Sequence, residues 1–385
     1  MNIDMKVNEN DFSNLMQYVE VKSEERRVTD IFEKDKSCLL LDFANACFVD
    51  DNLYFSALDF NCIFKGNINT GEVTLIDFCH EESVNSVLNH FCIEKIGDRI
   101  YFIPDGKKII SVLDLKSDKV IESIEIPFVS HVYRINYSYT KGYDVYMFGM
   151  DLNIYKLDTR KNQVEHCKNL SIERTFGEGK WYNNQVAQKE NLLFVPIYKT
   201  NSICVIDWNY NHSTVVSLKE NVEIYGCCCI DNYIWITAMN TILKCDINLN
   251  VVKRYGCDKN LNEIDFQNIR DFDDKIVFID NTNKGFLKYD KNINKWSYEL
   301  HSRRKYNFLN KWSGCIYVIP NSNYYIDMDN KEFGELCKNN KICFSIKKDI
   351  VINEAKNRKI KIVNEKDCLT ENSFFSLNEF IDILG

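Results

Sequence analysis

Ile203-Cys-Val-Ile-Asp207 is an apolar run of strand length closed by an aspartate, and the same five-residue unit keeps returning along the chain. Before it stand Ile63-Phe-Lys-Gly-Asn67, Ile110-Ser-Val-Leu-Asp114 and Ile154-Tyr-Lys-Leu-Asp158. After it come Ile242-Leu-Lys-Cys-Asp246, Phe286-Leu-Lys-Tyr-Asp290, Tyr325-Ile-Asp-Met-Asp329 and a weaker Ile360-Lys-Ile-Val-Asn364. Their starts lie 47, 44, 49, 39, 44, 39 and 35 residues apart. About ten residues ahead of each unit is a second apolar segment, as in Leu53-Tyr-Phe55, Ile100-Tyr-Phe102, Ile234-Trp235, Ile276-Val-Phe278 and Ile350-Val351. A third run often follows, such as Val73-Thr-Leu75-Ile76 or Val120-Ile121. Runs this short, rich in β-branched and aromatic residues, read as consecutive antiparallel strands. The closing Asp or Asn suits the turn that follows, because its side chain accepts from exposed backbone N–H groups. Lys65, Lys156, Lys244 and Lys288 share the third position of their units and read as outward-facing.

A period near 40 residues with about four strands per repeat predicts an all-β fold, a single β-propeller over residues 1–385. The repeats predict eight four-stranded blades, with seven as the alternative. In the N-terminal segment 1–37, Tyr18-Val-Glu-Val21 is expected to supply a closing strand and Asp11 to Gln17 a short helix. Ser376-Leu-Asn-Glu379 has capping-box spacing ahead of Phe380-Ile-Asp-Ile-Leu384, which predicts a short C-terminal helix over 373–385. Phe194-Val-Pro-Ile-Tyr-Lys-Thr-Asn201-Ser-Ile-Cys-Val-Ile-Asp207 resembles a YVTN-type blade, and Ile63 to Gly71, ending in Asn-Thr-Gly, resembles a quinoprotein-type blade. The resemblance is to the broad superfamily of WD-repeat, YVTN and quinoprotein-like propellers. It implies a fold and no single activity, since the chain lacks a Trp-Asp blade ending, a Gly-Gly kelch signature and a sialidase box.

Composition bounds the rest. With 45% hydrophobic and 13% aromatic residues the chain is not a disordered one. It has 14 Gly and 4 Pro against 45 Asn, so Asn is expected to carry much of the turn chemistry. A net charge of −8 argues against generic nucleic-acid binding, and the basic clusters at Arg303-Arg304-Lys305 and Lys356 to Lys361 are short and separate. No run approaches eighteen apolar residues and Met1 to Asn10 has no apolar signal region, so a cytoplasmic protein without a membrane anchor is expected. Most of the 16 cysteines sit in hydrophobic runs, which predicts free buried thiols. Cys227-Cys228-Cys229 alternate between strand faces and cannot share one tetrahedral metal, so neither metal nor cofactor is expected.

In this architecture the innermost strand of each blade lines a central channel. Aromatic residues recur near its start, at Phe43, Phe91, Tyr133, Tyr182, Tyr225, Phe266 and Tyr306, with His90, His131, Arg134, Asn183, Asn184 and Asn268 beside them. Arg174-Thr-Phe-Gly177-Glu-Gly179-Lys-Trp181 breaks the repeat with two glycines in a chain short of glycine. The candidate ligand site is therefore a channel mouth carrying His90, His131, Tyr133, Arg134, Arg174, Trp181, Tyr182, Asn183, Asn184, Tyr225, Asn268 and Tyr306. Aromatic faces and amides suit a protein, peptide or glycan ligand. The competing reading has the aromatics wedged between blades and the amides satisfying loop backbone. There is no Gly-x-Ser-x-Gly elbow and no His-Glu-x-x-His helix. The function expected is a monomeric, non-catalytic recognition module; the alternative is a lyase or hydrolase acting on a carbohydrate or other small molecule at the same mouth.

Overall fold

A strand that is apolar on both faces needs cover on both sides, and the middle strands of this chain are built that way. Arg99–Pro104 buries Ile100-Tyr-Phe-Ile103 without a break, and Tyr233–Ala238 does the same with Ile234-Trp-Ile236. The computed structural model describes residues 2–7, 12–17, 19, 38–40, 45–57, 61–67, 70, 72–79, 90–172, 180–183, 185–256, 266–272, 274–280, 285–300, 316–318, 324–327, 332–335, 342–343 and 345–359. Among these residues, seven antiparallel sheets follow one another along the chain, each pairing strands that are neighbours in sequence. Six have four strands and span 46–77, 90–125, 135–166, 187–217, 224–256 and 316–343. The seventh, over 266–300, carries a fifth strand. The recurring five-residue unit is the third strand of each sheet, as in Ile63–Asn67, Ser202–Asp207 and Gly285–Asp290.

Among the described residues the count is thus the lower of the two expected, and the apolar segment ahead of the eighth unit is helical. Ser345–Lys347 pairs with Cys38–Leu40, and Lys348–Asn357, which contains Ile350 and Val351, is α-helical. Val351, Ile352 and Ala355 are buried along one side of that helix. Arg358 reaches back one turn to Glu354 at 2.7 Å and also pairs with Asp77. Helical spacing of the apolar residues prevails over the two β-branched residues at 350 and 351. Ile360 to Asn364 and the helix expected over 373–385 lie outside the described residues.

The N-terminal segment also differs from expectation. Its strand is Asn2–Val7, paired with the outer strand Lys295–Leu300. Of Tyr18 to Val21 only Val19 is described, and it is helical. Residues 12–17 are helical as well, and Phe12, Leu15, Met16 and Val19 are buried against Tyr255, Phe266 and Trp296.

The chain, read as one domain from its sequence, divides by contacts into two compact units. One comprises 1–30, 148–154 and 167–304, the other 31–147, 155–166 and 305–385. Inside each unit, alternation along the middle strands shows how sheets stack. Ile234 and Ile236 pack towards Phe194 and Ile203 of the preceding sheet, while Trp235 between them packs towards Phe278 and Leu287 of the following one. In the other unit Ile100 and Phe102 face Tyr54 and Ile63, whereas Tyr101 and Ile103 face Val145 and Leu157. Outer strands alternate between half-buried and exposed, as in Lys119–Glu125, and carry the Lys, Glu, Ser and Thr that discourage edge pairing.

Turn chemistry falls to Asn and Asp. Of thirteen described non-glycine residues with left-handed φ, eight are Asn or Asp, among them Asp118, Asn162, Asn211 and Asn294. Asp114, Asp207 and Asp290 close their strands by accepting from backbone N–H groups two or three residues on, at 2.9 Å in each case. Lys65 and Lys244 lay their stems on the sheet and place their ammonium groups near rings, Lys244 3.9 Å from the centre of Tyr233, while Lys65 also binds Asp118 at 2.9 Å. Ten cysteines, Cys47, Cys79 and Cys227 among them, are free thiols. Among the described residues no helix is long and apolar enough to cross a membrane.

Asparagines at the turn between second and third strands tie two of the sheets to the chain leaving them. Buried Asn61 donates to the Cys79 carbonyl and accepts from the Cys79 N–H, both at 3.1 Å. Asn201 donates to the Leu218 carbonyl at 3.0 Å and to the Glu220 carbonyl at 3.4 Å. Asn61→Ala strands a buried N–H and C=O, and is expected to lower unfolding free energy by about 1–3 kcal/mol in denaturant titrations. Asn201→Ala, at a half-exposed site, should cost less; an inverted order would contradict this account.

Candidate functional site

Bulges at the starts of the inner strands decide which side chains are aimed where. Pairing slips by one residue between His90 and Cys92, between Ile224 and Gly226, and between Gln267 and Ile269. Phe91, Tyr225 and Asn268 are the extra residues, so two of the predicted site residues occupy equivalent bulge positions. A bulge re-aims a side chain that a regular strand would send elsewhere.

Ahead of the short inner strand Ala187–Lys189, residues 181–183 pair with 196–198: Tyr182 bridges Ile197, Asn183 N–H donates to the Pro196 carbonyl at 2.8 Å, and Tyr198 N–H to the Trp181 carbonyl at 2.8 Å. Strand alternation then parts the neighbours. Tyr182 points inward and is fully buried, its hydroxyl donating to the Leu152 carbonyl at 3.1 Å and its ring set edge-on to Phe148 at 5.3 Å. Burial pushes its phenol well above the ordinary range. Trp181 points the other way and stacks on Tyr198, centroids 4.4 Å apart at 21°. Tyr225 approaches the far side of that pair, 6.2 Å from Tyr198. Trp181, Tyr198 and Tyr225 are all half-buried and form an aromatic ladder across two sheets of one unit.

The polar residue beneath is Gln185. Its amide clasps the backbone of Ile269, donating to the carbonyl at 2.9 Å and accepting from the N–H at 2.8 Å, while its own carbonyl takes the Cys227 N–H at 3.2 Å. The side chain crosses over Gly226, where a Cβ would lie 2.9 Å from the Gln185 Oε1. Three consecutive sheets are stitched by this one residue.

The remaining predicted residues have other roles. Arg134 bonds Asp105 with both arms, at 2.6 and 2.9 Å, and Asp105 is itself buried, so the guanidinium clamps two sheets and is held more firmly protonated by that carboxylate. Tyr133 lies under the Lys108 ammonium at 4.3 Å and beside Phe128 at 5.5 Å. His131 is exposed on a bend in the same unit. His90 is buried against Phe102, with the Cys79 thiol 3.6 Å from its Nε2. Arg174, Asn184 and Tyr306 lie outside the described residues, and Asn268 is described for its backbone alone. The structure therefore brings Trp181 and Tyr225 together and turns Tyr182 and His90 into packing.

Sequence reading overlooked Tyr198 and the turn after it, although both lie in the stretch that resembles a YVTN-type blade. Lys199, Thr200, Asn201, Glu223, Asn240 and Arg254 line a cavity of about 650 Å³ between the 187–217 and 224–256 sheets, and Lys199 links it to the ladder, its ammonium 5.5 Å from the centre of the Tyr198 ring. Among the described residues no three His, Cys, Asp or Glu side chains are grouped as a metal site.

Neither a protein-family model nor a curated protein sequence matches the chain. Solved structures do. A catalytically inactive variant of virginiamycin B lyase from Staphylococcus aureus, with quinupristin, has a TM-score of 0.56 at 12% identity, over 80% of this chain and 96% of that one. The WD40 repeats of RRP9 give 0.54 at 10% identity, over 80% and 91%. YCF48 bound to D1 peptide gives 0.51 at 8% identity, over 70% and 87%. The fold is that of a β-propeller, and the successive sheets are its blades.

A buried histidine and a half-buried glutamate on the strand His90–Ile96 predict opposite pH dependences. Burial lowers His90 from its ordinary 6.5 to about 3, so the unfolded chain binds more protons in that window and stability is lost as pH falls through it. Glu94 is raised above its ordinary 4.5 by burial, against the opposing bonds from Ser138 at 2.6 Å and Thr140 at 2.7 Å. Its folded form holds the proton more tightly, so its contribution is present at low pH and lost as pH rises past 4.5. Denaturant midpoints measured against pH should lose slope between 3 and 6.5 in His90→Leu. Glu94→Gln should raise the midpoint more at neutral pH than in acid, and a uniform shift would refute the assignment.

Proposed function

We propose that this propeller is a non-catalytic recognition module that binds a protein, peptide or glycan on the face bearing the aromatic ladder. The observation that carries this reading is the half-buried set Trp181, Tyr198 and Tyr225 beside a polar cavity within one unit. Aromatic side chains with one polar end supply contact area at low entropic cost, and polar surroundings fix orientation. Within this unit, groups that burial moves well away from their normal acidity, Tyr182 and the Cys227 thiol, are enclosed in packing and do not line this cavity. That distribution favours binding over acid–base chemistry. The similar structures include a protein bound to a peptide and a lyase, so the fold is compatible with either class. A net charge of −8 favours such partners over nucleic acid or an anionic membrane, and polar outer strands suit a monomer.

Affinity capture from the native source should compare wild type with a Trp181→Ala, Tyr198→Ala double variant and with Tyr210→Ala, a tyrosine 80% exposed elsewhere. The double variant is expected to lose its bound partner while Tyr210→Ala keeps it. Retention by the double variant, with its circular dichroism unchanged, removes this face from contention.

A further inference from the structure

We infer that the cavity beside the ladder binds an acidic sugar, with the carboxylate held between Lys199 and Arg254; this rests on the recognition reading above and narrows its ligand. The cavity lies between the 199–202 turn of one sheet and the 239–241 turn of the next, with the linker 221–223 also lining it. At about 650 Å³ it is in the range of small-molecule sites. Its walls carry flat polar groups: the amides of Asn221 and Asn240, the carboxylate of Glu223 and the guanidinium of Arg254. Each such group presents two hydrogen-bonding atoms side by side, which matches neighbouring hydroxyls on a pyranose ring. Apolar lining comes from Val222 and Met239. A peptide anchor would instead call for a well-packed pocket for a large side chain.

Both cations have defined neighbours. The Arg254 side chain passes Gly256, where even a Cβ would make only ordinary contacts, 3.5 Å from Arg254 Nε and 3.8 Å from Thr241 Oγ1. Arg254 Nη1 donates to Glu220 Oε2 at 3.2 Å, which fixes the group at the rim. Lys199 holds a left-handed backbone, φ 55°, at the same rim. That conformation costs a non-glycine residue about 1 kcal/mol, and Asn or Gly would meet the needs of the turn better. The Lys199 ammonium lies 5.5 Å from the centre of the Tyr198 ring, beside the ladder. The lining sets Lys199 and Arg254 beside Glu223, with Glu220 paired to Arg254 at the rim. Turns and strands make the walls, without the helix N-terminus that would favour phosphate.

Titration calorimetry on the full chain should use three acidic disaccharides, ending in galacturonate, glucuronate and sialate, with their methyl esters and tri-glutamate as comparators. At least one acid is expected to bind, with affinity falling as salt rises, and its ester to bind about tenfold more weakly. Lys199→Asn, which keeps the turn, and Arg254→Gln should each weaken binding about tenfold, and the Lys199→Asn melting temperature should not fall below wild type. Silence with all three acids overturns the inference, as does equal binding of acid and ester or unchanged binding by both variants. Binding of tri-glutamate with the sugars silent overturns the sugar assignment. The ladder variants test the recognition reading separately, so failure of one is told apart from failure of the other.

Discussion

A middle strand with bulky apolar side chains on both faces is stable only when a second layer covers each face, and in this chain successive sheets provide that cover. Ile234 and Ile236 look one way while Trp235 looks the other, so a single strand contributes to two cores. The same holds for Ile100 and Tyr101 in the other unit. Everything placed on the rim inherits its position from this stacking. The turns that present Lys199, Asn201 and Asn240 stand at the ends of strands that cannot slip by one residue without sending Trp235 or Phe194 to the wrong core.

Much of this was readable in the residues themselves. The Asp or Asn closing each third strand marks both a strand end and a turn, which is why the repeat survives a variable spacing. The eighth unit misled because Ile350-Val351 and Ile360-Lys-Ile have the right composition at nearly the right distance. The helix is signalled by a competing pattern, Val351, Ile352 and Ala355, whose strength depends on burial that sequence does not reveal. The aromatic cluster was legible in its region and blurred in its residues. Trp181 and Tyr182 are adjacent aromatics, and alternation guarantees that only one can face outward, but not which one. At His90 and Tyr225 a bulge inserts an extra residue nearby, and counting by twos fails across it. Tyr198 escaped notice because it stands in a turn that looked like ordinary repeat.

Polar groups in the interior follow one rule, which is that backbone atoms left without a ladder partner are met by side-chain amides. Asn61 and Asn201 do this locally for the chain leaving their own sheets. Arg134 with Asp105, and Glu94 with Ser138 and Thr140, instead join side chain to side chain between sheets. Side chains spent on such duty, Arg134 among them, are poor candidates for ligand contact.

Gln185 carries that rule furthest, and its reach bears on how this repeat array can change through evolution. Propeller sequences grow and shrink by duplication or loss of whole blades, a process that works when each blade needs nothing beyond its immediate neighbours. Here an amide leaving one sheet passes over Gly226 of the next and closes on Ile269 in the sheet beyond. Removal or duplication of the 224–256 sheet would leave that amide facing the wrong backbone. The order and number of sheets across 185–269 are thereby recorded in one side chain and one glycine, and modular exchange is confined to the rest of the chain.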